Sequence, residues 1–385
     1  MSTHDDVIVQ HLIDPELCIR CNTCEETCPS NAISNDLRNY VVDVDICNGC
    51  QACVSPCPTG AINSWRPVLR QSAYTREQQF AWSALPEAPS DPALDAVPPG
   101  RGRGDGSVVV ENRFTPARPA LARVVENRCV TPRADAAVHH IVLDVSNDDF
   151  PFLEGQSVGV LARGVDAQGA RHAMRLYSVA CSRDGEEGVA GRLALTVKRV
   201  IENRGGEEAR GICSNYLCDL TPGDAVELAG PYGADFLMPD DTTAPLIMIC
   251  TGTGVAPMRA MLDRSRALPA PRAPQQLFYG GRTPQEMAYF DALQAAYGAT
   301  CDIGFALSRQ AGESKRYVQD LLRERHDVLA QLLARENTHV YLCGLRGMEA
   351  GVFEALAQVC ERHGLNWQAL EAAMTQQRRL HVETY

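Results

Sequence analysis

Eight cysteines fall in two copies of one spacing, Cys18-x2-Cys21-x2-Cys24-x3-Cys28-Pro29 and Cys47-x2-Cys50-x2-Cys53-x3-Cys57-Pro58, repeated at a period of 29 residues. Thiols crowded this closely cannot be scattered small core residues. Zinc sites call for two Cys pairs with a longer gap, and disulfides call for an oxidising compartment. The third cysteine of each triad and the trailing Cys-Pro fit only an iron–sulfur pattern. A tight C-x2-C-x2-C loop delivers three thiolates to a cubane, and the fourth must come from elsewhere in the chain.

Over residues 8–64 the chain resembles bacterial 2[4Fe–4S] ferredoxins, and we read residues 1–64 as that domain. The resemblance assigns Cys18, Cys21, Cys24 and Cys57 to one cluster and Cys47, Cys50, Cys53 and Cys28 to the other, each motif lending its last cysteine to its neighbour. The domain holds nine acidic residues against Arg20 and Arg38, so it carries −7 of the formal net charge of −12. Two readings of that charge stand side by side: it steers a basic docking partner, or it keeps a small cluster-filled core soluble.

A net charge of −12 disfavours a nucleic-acid partner. No run approaches the roughly 18 consecutive apolar residues of a membrane span, and the stretch from Met1 to Gln10 is acidic where a secretory signal is basic. The expectation is a soluble cytoplasmic protein that engages neither membrane nor nucleic acid. Its 385 residues allow two to four domains.

Residues 65–119 read as a linker. Positions 66–84 leave room for a short helix, and 85–119 hold seven prolines and the stretch PPGRGRGDG. Pro-rich chain is semi-rigid and Gly-rich chain flexible, so the expectation is a tether that lets the cluster domain move, with a spacer lying along a surface as the alternative. From 120 to about 240, short β-type runs (139–145, 157–161, 193–200, 225–230) recur at intervals suited to an antiparallel barrel. After Pro245, apolar runs at 246–254, 277–282 and 339–345 alternate with helical stretches, the signature of a parallel sheet.

Three loops carry chemistry. Arg175-Leu176-Tyr177-Ser178 brings together a cation, a ring and a hydroxyl, the groups needed to pair with a diphosphate, stack on an isoalloxazine and bond to its edge. Gly211-Ile212-Cys213-Ser214 is a glycine turn opening a helix whose amides and Ser214 hydroxyl suit a diphosphate. Thr251-Gly252-Thr253-Gly254-Val255-Ala256-Pro257-Met258 follows a strand and opens a helix, where bare backbone approaches a pyrophosphate.

In this order the motifs resemble the plant-type ferredoxin–NADP reductase family over residues 120–385. The resemblance implies an FAD-binding β-barrel at 120–242 and an NADP-binding domain at 243–385. The whole chain is then multidomain, α+β and α/β. It further implies that FAD is held by Arg175, Leu176, Tyr177, Ser178, Lys198, Gly211, Ile212, Cys213 and Ser214. NADPH falls to Thr251, Gly252, Thr253 and Gly254, to Ser308, Arg309, Lys315, Tyr317 and Gln319 as donors to a 2′-phosphate, and to Gly344 and Leu345. The chain ends Val382-Glu383-Thr384-Tyr385, matching the family's carboxy-terminal V-E-x-Y. The resemblance makes Ser178, Cys343, Glu383 and Tyr385 the catalytic set, with the terminal ring covering the flavin until nicotinamide displaces it. Where the plant enzymes carry an aromatic residue for the adenine, this chain has Ile201-Glu202-Asn203. Adenine recognition is then expected at Tyr216 or Tyr232. Cys129, Cys181, Cys218, Cys250, Cys301 and Cys360 match no ligand spacing and are expected to be buried.

Electron counting joins the parts. NADPH gives up two electrons together, clusters take one at a time, and a flavin does both. A two-cluster ferredoxin ahead of such a reductase is similar to the reductase components of aerobic benzoyl-CoA oxygenases (epoxidases). This similarity implies a separate di-iron oxygenase as the acceptor, and no pair of Glu-x-x-His motifs marks an oxygenase centre in the chain itself. The alternatives are another oxygenase or a soluble ferredoxin as acceptor, or reverse flow that makes NADPH.

Overall fold

We describe a computed structural model of the chain, covering all residues except 1–6, 50, 51, 55, 58, 60, 63, 88–100, 117, 132–136, 166–168, 170, 205, 206 and 269–272. At the amino terminus, β1 (Val7–Leu12) pairs antiparallel with β4 (Ser64–Leu69), and β2 (Ile33–Asn35) pairs with β3 (Tyr40–Val42). The cysteine loops and the short helix α1 (Thr23–Thr27) lie between these hairpin-like pairs.

Residues 65–119 are not a plain linker. The strand β4 completes the cluster module, and α2 (Arg76–Phe80) docks on it. Thr75 and Gln78 cap α2 reciprocally through a capping box. The buried Gln79 amide then pairs with both backbone groups of Val42, donating to its carbonyl at 2.9 Å and accepting its N–H at 3.2 Å. A glutamine side chain thereby extends the β3 edge. Further on, β5 (Arg101–Gly102) pairs with β6 (Val108–Val109), and the chain runs along the next domain. Arg103 Nε donates to Asp240 at 2.5 Å and Gln156 donates to the Val110 carbonyl at 2.9 Å. Residues 88–100 lie outside the described residues.

The second domain is a six-stranded antiparallel sheet. It comprises β7 (Ala120–Cys129), β8 (Val138–Asp144), β9 (Ser157–Leu161), β10 (Arg175–Ser178), β11 (Arg192–Lys198) and β14 (Ala225–Tyr232), in the order β10-β9-β14-β7-β8-β11. A bridge between Val179 and Leu195 brings the two ends together, curling the sheet into a barrel. Alternation buries Ile141, Leu143, Val158, Val160 and Leu195 inside it. The hairpin β12 (Ile201–Arg204) and β13 (Glu207–Arg210) leads into α3 (Ile212–Asp219).

The third domain is a parallel sheet of β15 (Leu246–Thr251), β16 (Gln275–Gly281), β17 (Asp302–Leu307), β18 (His339–Gly344) and β19 (Leu380–Thr384), in the order β17-β16-β15-β18-β19. The helices α4 (Val255–Ala267), α5 (Phe290–Tyr297), α6 (Val318–Glu324), α7 (His326–Leu333), α8 (Glu349–Arg362) and α9 (Trp367–Gln376) connect the strands. Separate apolar clusters form on the two sheet faces, which is why β15 and β18 are nearly continuous apolar runs. The connection order reverses between β15 and β18, and there the carboxyl ends of the two strands part into a ligand-binding crevice.

Candidate functional site

The crevice is built from backbone that side chains would fill. A Cβ on Gly254 would lie 2.2 Å from the Cys343 carbonyl oxygen, and one on Gly344 would lie 2.4 Å from Thr251 Oγ1. Gly344 also holds φ +142°, which L side chains rarely adopt. Thr251 Oγ1 accepts the Leu345 N–H at 3.1 Å, tying the two loops across the switch point. The Thr251–Gly254 and Gly344–Leu345 segments thus come together as a bare-backbone cradle suited to a dinucleotide.

Next to it, Cys343 on β18 stands in register with Glu383 on β19. Burial pushes the Cys343 thiol well up, and Glu383 adds to this once it is ionised. Burial, and then Asp235, raises Glu383 to about 8. At neutral pH its carboxyl therefore carries a proton. Tyr385 closes this side. Its N–H donates to the Gly344 carbonyl at 2.9 Å, its carbonyl accepts from Arg346 at 3.1 Å, and its hydroxyl bonds Thr253 Oγ1 at 2.6 Å. Ser178 is half-buried at the end of β10, opposite Ser157.

On the barrel, Tyr177 and Cys213 meet: burial raises both, and a hydrogen bond joins phenol and thiol, with Cys213 at about 11. That contact joins the Arg175–Ser178 strand to the Gly211–Ser214 turn. Tyr177 packs on the barrel core and Leu176 points the other way. Arg175 Nη1 donates to the Met174 carbonyl at 2.9 Å. The Ser214 hydroxyl is committed to the turn itself, donating to the Gly211 carbonyl at 3.1 Å and accepting the Val200 N–H at 3.2 Å. It shapes the loop that presents the α3 amides. Ile212 is exposed, as is Lys198 at the end of β11.

Arg309 and Lys315 are exposed, and among the described residues neither side chain has a partner. Arg316, the residue after Lys315, is occupied by Glu324. Tyr317 is half-exposed at the start of α6, and the Gln319 amide lies beside Gly351. Ser308 donates its hydroxyl to the Gly281 carbonyl at 3.1 Å, so it anchors the loop. Two free cations and a phenol beside the β16–β17 ends suit a phosphate.

The adenine remains without its expected platform. Tyr232 is 1% exposed and packs beneath the barrel, so it cannot stack on a ligand, and Tyr216 lies partly buried against the barrel core with its hydroxyl on the Ala225 carbonyl at 3.3 Å. The Glu202 side chain lies outside the described residues. Cys181, Cys218, Cys250, Cys301 and Cys360 are buried, but Cys129 is exposed at the end of β7, with its thiol on the Thr131 carbonyl at 2.9 Å.

The cysteines of the first module converge into two cavities. One is lined by Cys18, Cys21, Cys24 and Cys57 and the other by Cys28, Cys47 and Cys53, while Cys50 lies outside the described residues. Each pocket therefore takes its last cysteine from the opposite motif. Four soft donors around a small apolar cavity are the ligand chemistry of a [4Fe–4S] cubane. The Ala32 N–H donates to Cys28 Sγ at 3.3 Å, a bond that tunes a thiolate ligand.

Two features were invisible in the motifs. Across the barrel and sheet domains, Arg259 lies bidentate on the buried Glu186, which His140 also meets at 3.2 Å; His140 and Thr196 both bond the Tyr289 hydroxyl. And Trp65 of β4 stacks on His11 at 3.8 Å and reaches Tyr232 of the barrel at 6.5 Å. Only the position of Arg259, directly after the Thr251–Met258 loop, offered a signal.

These pieces define an oxidoreductase that binds FAD and NADP(H) and carries a two-cluster module. Comparison with known proteins agrees: residues 11–64 match the family described as 4Fe-4S dicluster domain, 123–236 the oxidoreductase FAD-binding domain and 248–354 the oxidoreductase NAD-binding domain. The chain is 38% identical to the ferredoxin–NADP reductase of Thermosynechococcus vestitus over 288 residues, 71% of this chain and 75% of that protein. It is 36% identical to the cyanelle ferredoxin–NADP reductase of Cyanophora paradoxa, over 71% of this chain and 78% of that protein. The ferredoxin–NADP reductase structure from Plasmodium falciparum shares the fold, with a TM-score of 0.55 and 22% identity over 71% of this chain and 99% of that one. The chain belongs to the ferredoxin–NADP reductase family. It is an NADP-dependent oxidoreductase with FAD and two [4Fe–4S] clusters as cofactors. Among the described residues no helix is long and apolar enough to cross a membrane.

Proposed function

We propose that this reductase draws electrons from NADPH, passes them through FAD and the two clusters, and delivers them to a separate di-iron oxygenase, the epoxidase of an aerobic benzoyl-CoA pathway that degrades benzoate. The setting is cytoplasmic, because thiolate ligation needs a reducing compartment. The flavin supplies the conversion of one two-electron donation into two one-electron steps. The chain's own residues do the positioning. Arg309 and Lys315 hold a 2′-phosphate, the Gly254–Gly344 cradle admits the pyrophosphate, and Tyr385 hands its place to the nicotinamide. Ser178, Cys343 and the protonated Glu383 line the site where the two rings meet. Tyr177 and the α3 amides hold the flavin.

The observation that carries the reading is the pairing of two cubane-type cavities with a complete reductase in one chain. Such a chain needs no other protein to turn NADPH into single electrons. The oxygenase assignment rests on the resemblance of module order, and the absence of Glu-x-x-His pairs leaves ring oxidation to the partner. A second reading has its own support, since the relatives are named for ferredoxin. On that reading the acceptor is a soluble ferredoxin or another oxygenase, or the flow runs backwards to NADP+.

Anaerobic titration with NADPH, followed by flavin bleaching and low-temperature EPR, tests the path. Cluster signals that appear after flavin reduction support it, and addition of a benzoyl-CoA oxygenase component should then discharge them. Flavin bleaching with silent clusters puts the reverse direction first.

A further inference from the structure

The cluster module and the barrel share an apolar core. Ile13, Val54, Ala61, Ile62 and Trp65 from the first module form one buried cluster with Leu161, Met174, Ala229 and Tyr232 of the barrel, and the ligands Cys53 and Cys57 belong to it. Trp65 is 9% exposed, and its indole N–H is buried without a hydrogen-bond partner. Leaving such a donor unsatisfied is tolerated where ring packing outweighs it. The ring lies between two others: His11 is stacked on it at 3.8 Å with an interplanar angle of 7°, and Tyr232 is tilted against it at 6.5 Å.

Both ends of this row reach redox sites. His11 lines the cavity of Cys28, Cys47 and Cys53, and its ring bonds the Ile62 carbonyl at 2.5 Å, which fixes its orientation. At the other end the Tyr232 hydroxyl meets Met174 Sδ at 3.6 Å. Met174 directly precedes the Arg175–Ser178 strand, whose Leu176 faces the same seam while Tyr177 faces the barrel core. The other cavity, with Cys18, Cys21, Cys24 and Cys57, borders the same apolar cluster through Ile13, Ala61 and Ile62 but shares no ring of this row and includes the exposed Cys21.

We propose that the cluster module is a fixed part of the reductase rather than a tethered shuttle, with Trp65 as the positioning residue that holds the Cys28–Cys47–Cys53 cavity against the back of the flavin-binding strand. The inference rests on the FAD and cluster assignment above. With FAD and the clusters bound, this docking would set the Cys28–Cys47–Cys53 site beside the flavin-binding strand for one-electron transfer, with no bond made or broken.

The test compares wild type with Trp65→Ala, Trp65→Phe and, from the barrel side, Leu161→Arg, each as the full-length holoenzyme. The readouts are small-angle scattering, iron and sulfide content, and anaerobic stopped-flow bleaching of flavin and clusters after mixing with NADPH. Fixed docking predicts a compact wild-type scattering profile. It predicts that Trp65→Ala and Leu161→Arg bleach the flavin at the wild-type rate, reduce the clusters at least tenfold more slowly and scatter as an expanded particle, while Trp65→Phe stays near wild type. Leu161→Arg leaves the cluster module's own sequence untouched, so it decides the matter if Trp65→Ala loses iron. An expanded wild-type profile, or cluster reduction at the wild-type rate in an iron-replete Leu161→Arg enzyme, overturns the proposal. Failure of NADPH to bleach the wild-type flavin would instead strike the proposed function.

Discussion

The guanidinium of Arg259 sits on the carboxylate of Glu186 through two bonds of 2.8 and 2.7 Å and also donates to the Ala180 carbonyl at 2.5 Å. Arg259 belongs to α4 of the nucleotide domain and Glu186 to the barrel, so one bidentate pair spans the walls of the crevice. Glu186 is 5% exposed, and a buried carboxylate stripped of its cation costs about 3–5 kcal/mol. Arg259→Ala should lower the urea midpoint accordingly and raise the KM for NADPH. Arg259→Lys should recover only part, because an ammonium cannot bind bidentately.

The same carboxylate predicts an acid-side effect. Burial alone would raise Glu186, but the hydrogen bonds from His140 and Arg259 outweigh it and hold the group at about 2. Its folded-state pKa is depressed. The stability it contributes is therefore present above the ordinary carboxylate range and lost as pH falls from about 4.5 towards 2. A shift of that size corresponds to about 3 kcal/mol. Urea titrations of wild type and Glu186→Gln should converge across that window and differ at neutral pH.

Glu383 behaves in the opposite sense. Raised to about 8 by burial and Asp235, it stays protonated at neutral pH. Stability from the protonated form diminishes as pH rises from the ordinary carboxylate range to 8, and the site gains a negative charge there. Flavin reduction by NADPH should change through a pKa near 8 in wild type and lose that inflection in Glu383→Gln, measured as the stopped-flow rate against pH.

The reciprocal ligand sets make a stoichiometric prediction. Cys57 lines the cavity of the first motif and Cys28 that of the second. Cys57→Ser should lose the cluster of Cys18, Cys21 and Cys24 while the second survives, so iron drops from about eight to about four per chain. Iron and sulfide analysis with EPR checks this, and a surviving signal that Tyr40→Phe perturbs would contradict the pairing, since Tyr40 lines the Cys57 cavity.

Arg309 and Lys315 should decide between NADPH and NADH. Charge-assisted bonds to a phosphate are worth about 1.5–3 kcal/mol each. Arg309→Ala and Lys315→Ala should each raise the KM for NADPH by tenfold or more and leave NADH kinetics nearly unchanged. Steady-state kinetics with both nucleotides at fixed ionic strength would show it.

The cluster cavities and the nucleotide crevice were legible in the sequence because their geometry is local. Three thiolates within seven residues, or glycines after a strand where no Cβ fits, define a site almost wherever the chain places it. The barrel followed from alternation, and the parallel sheet from apolar runs separated by helices. Local reasoning failed where a residue's neighbours come from far along the chain. Tyr232 reads as a free ring for adenine and is instead sealed against Trp65, 167 positions earlier in sequence. The backbone partners of the Ser214 and Ser308 hydroxyls were likewise not legible in the motifs. Residues 65–82 read as linker because the strand they complete pairs with β1, far upstream. What the sequence alone determined is which cofactors the chain can hold, since ligand chemistry and backbone clearance are set by residue type and spacing. Only the tertiary structure decided how the modules sit together, because the partners in the Trp65 seam and the Arg259–Glu186 pair are separated along the chain and meet only when the packed domains bury them.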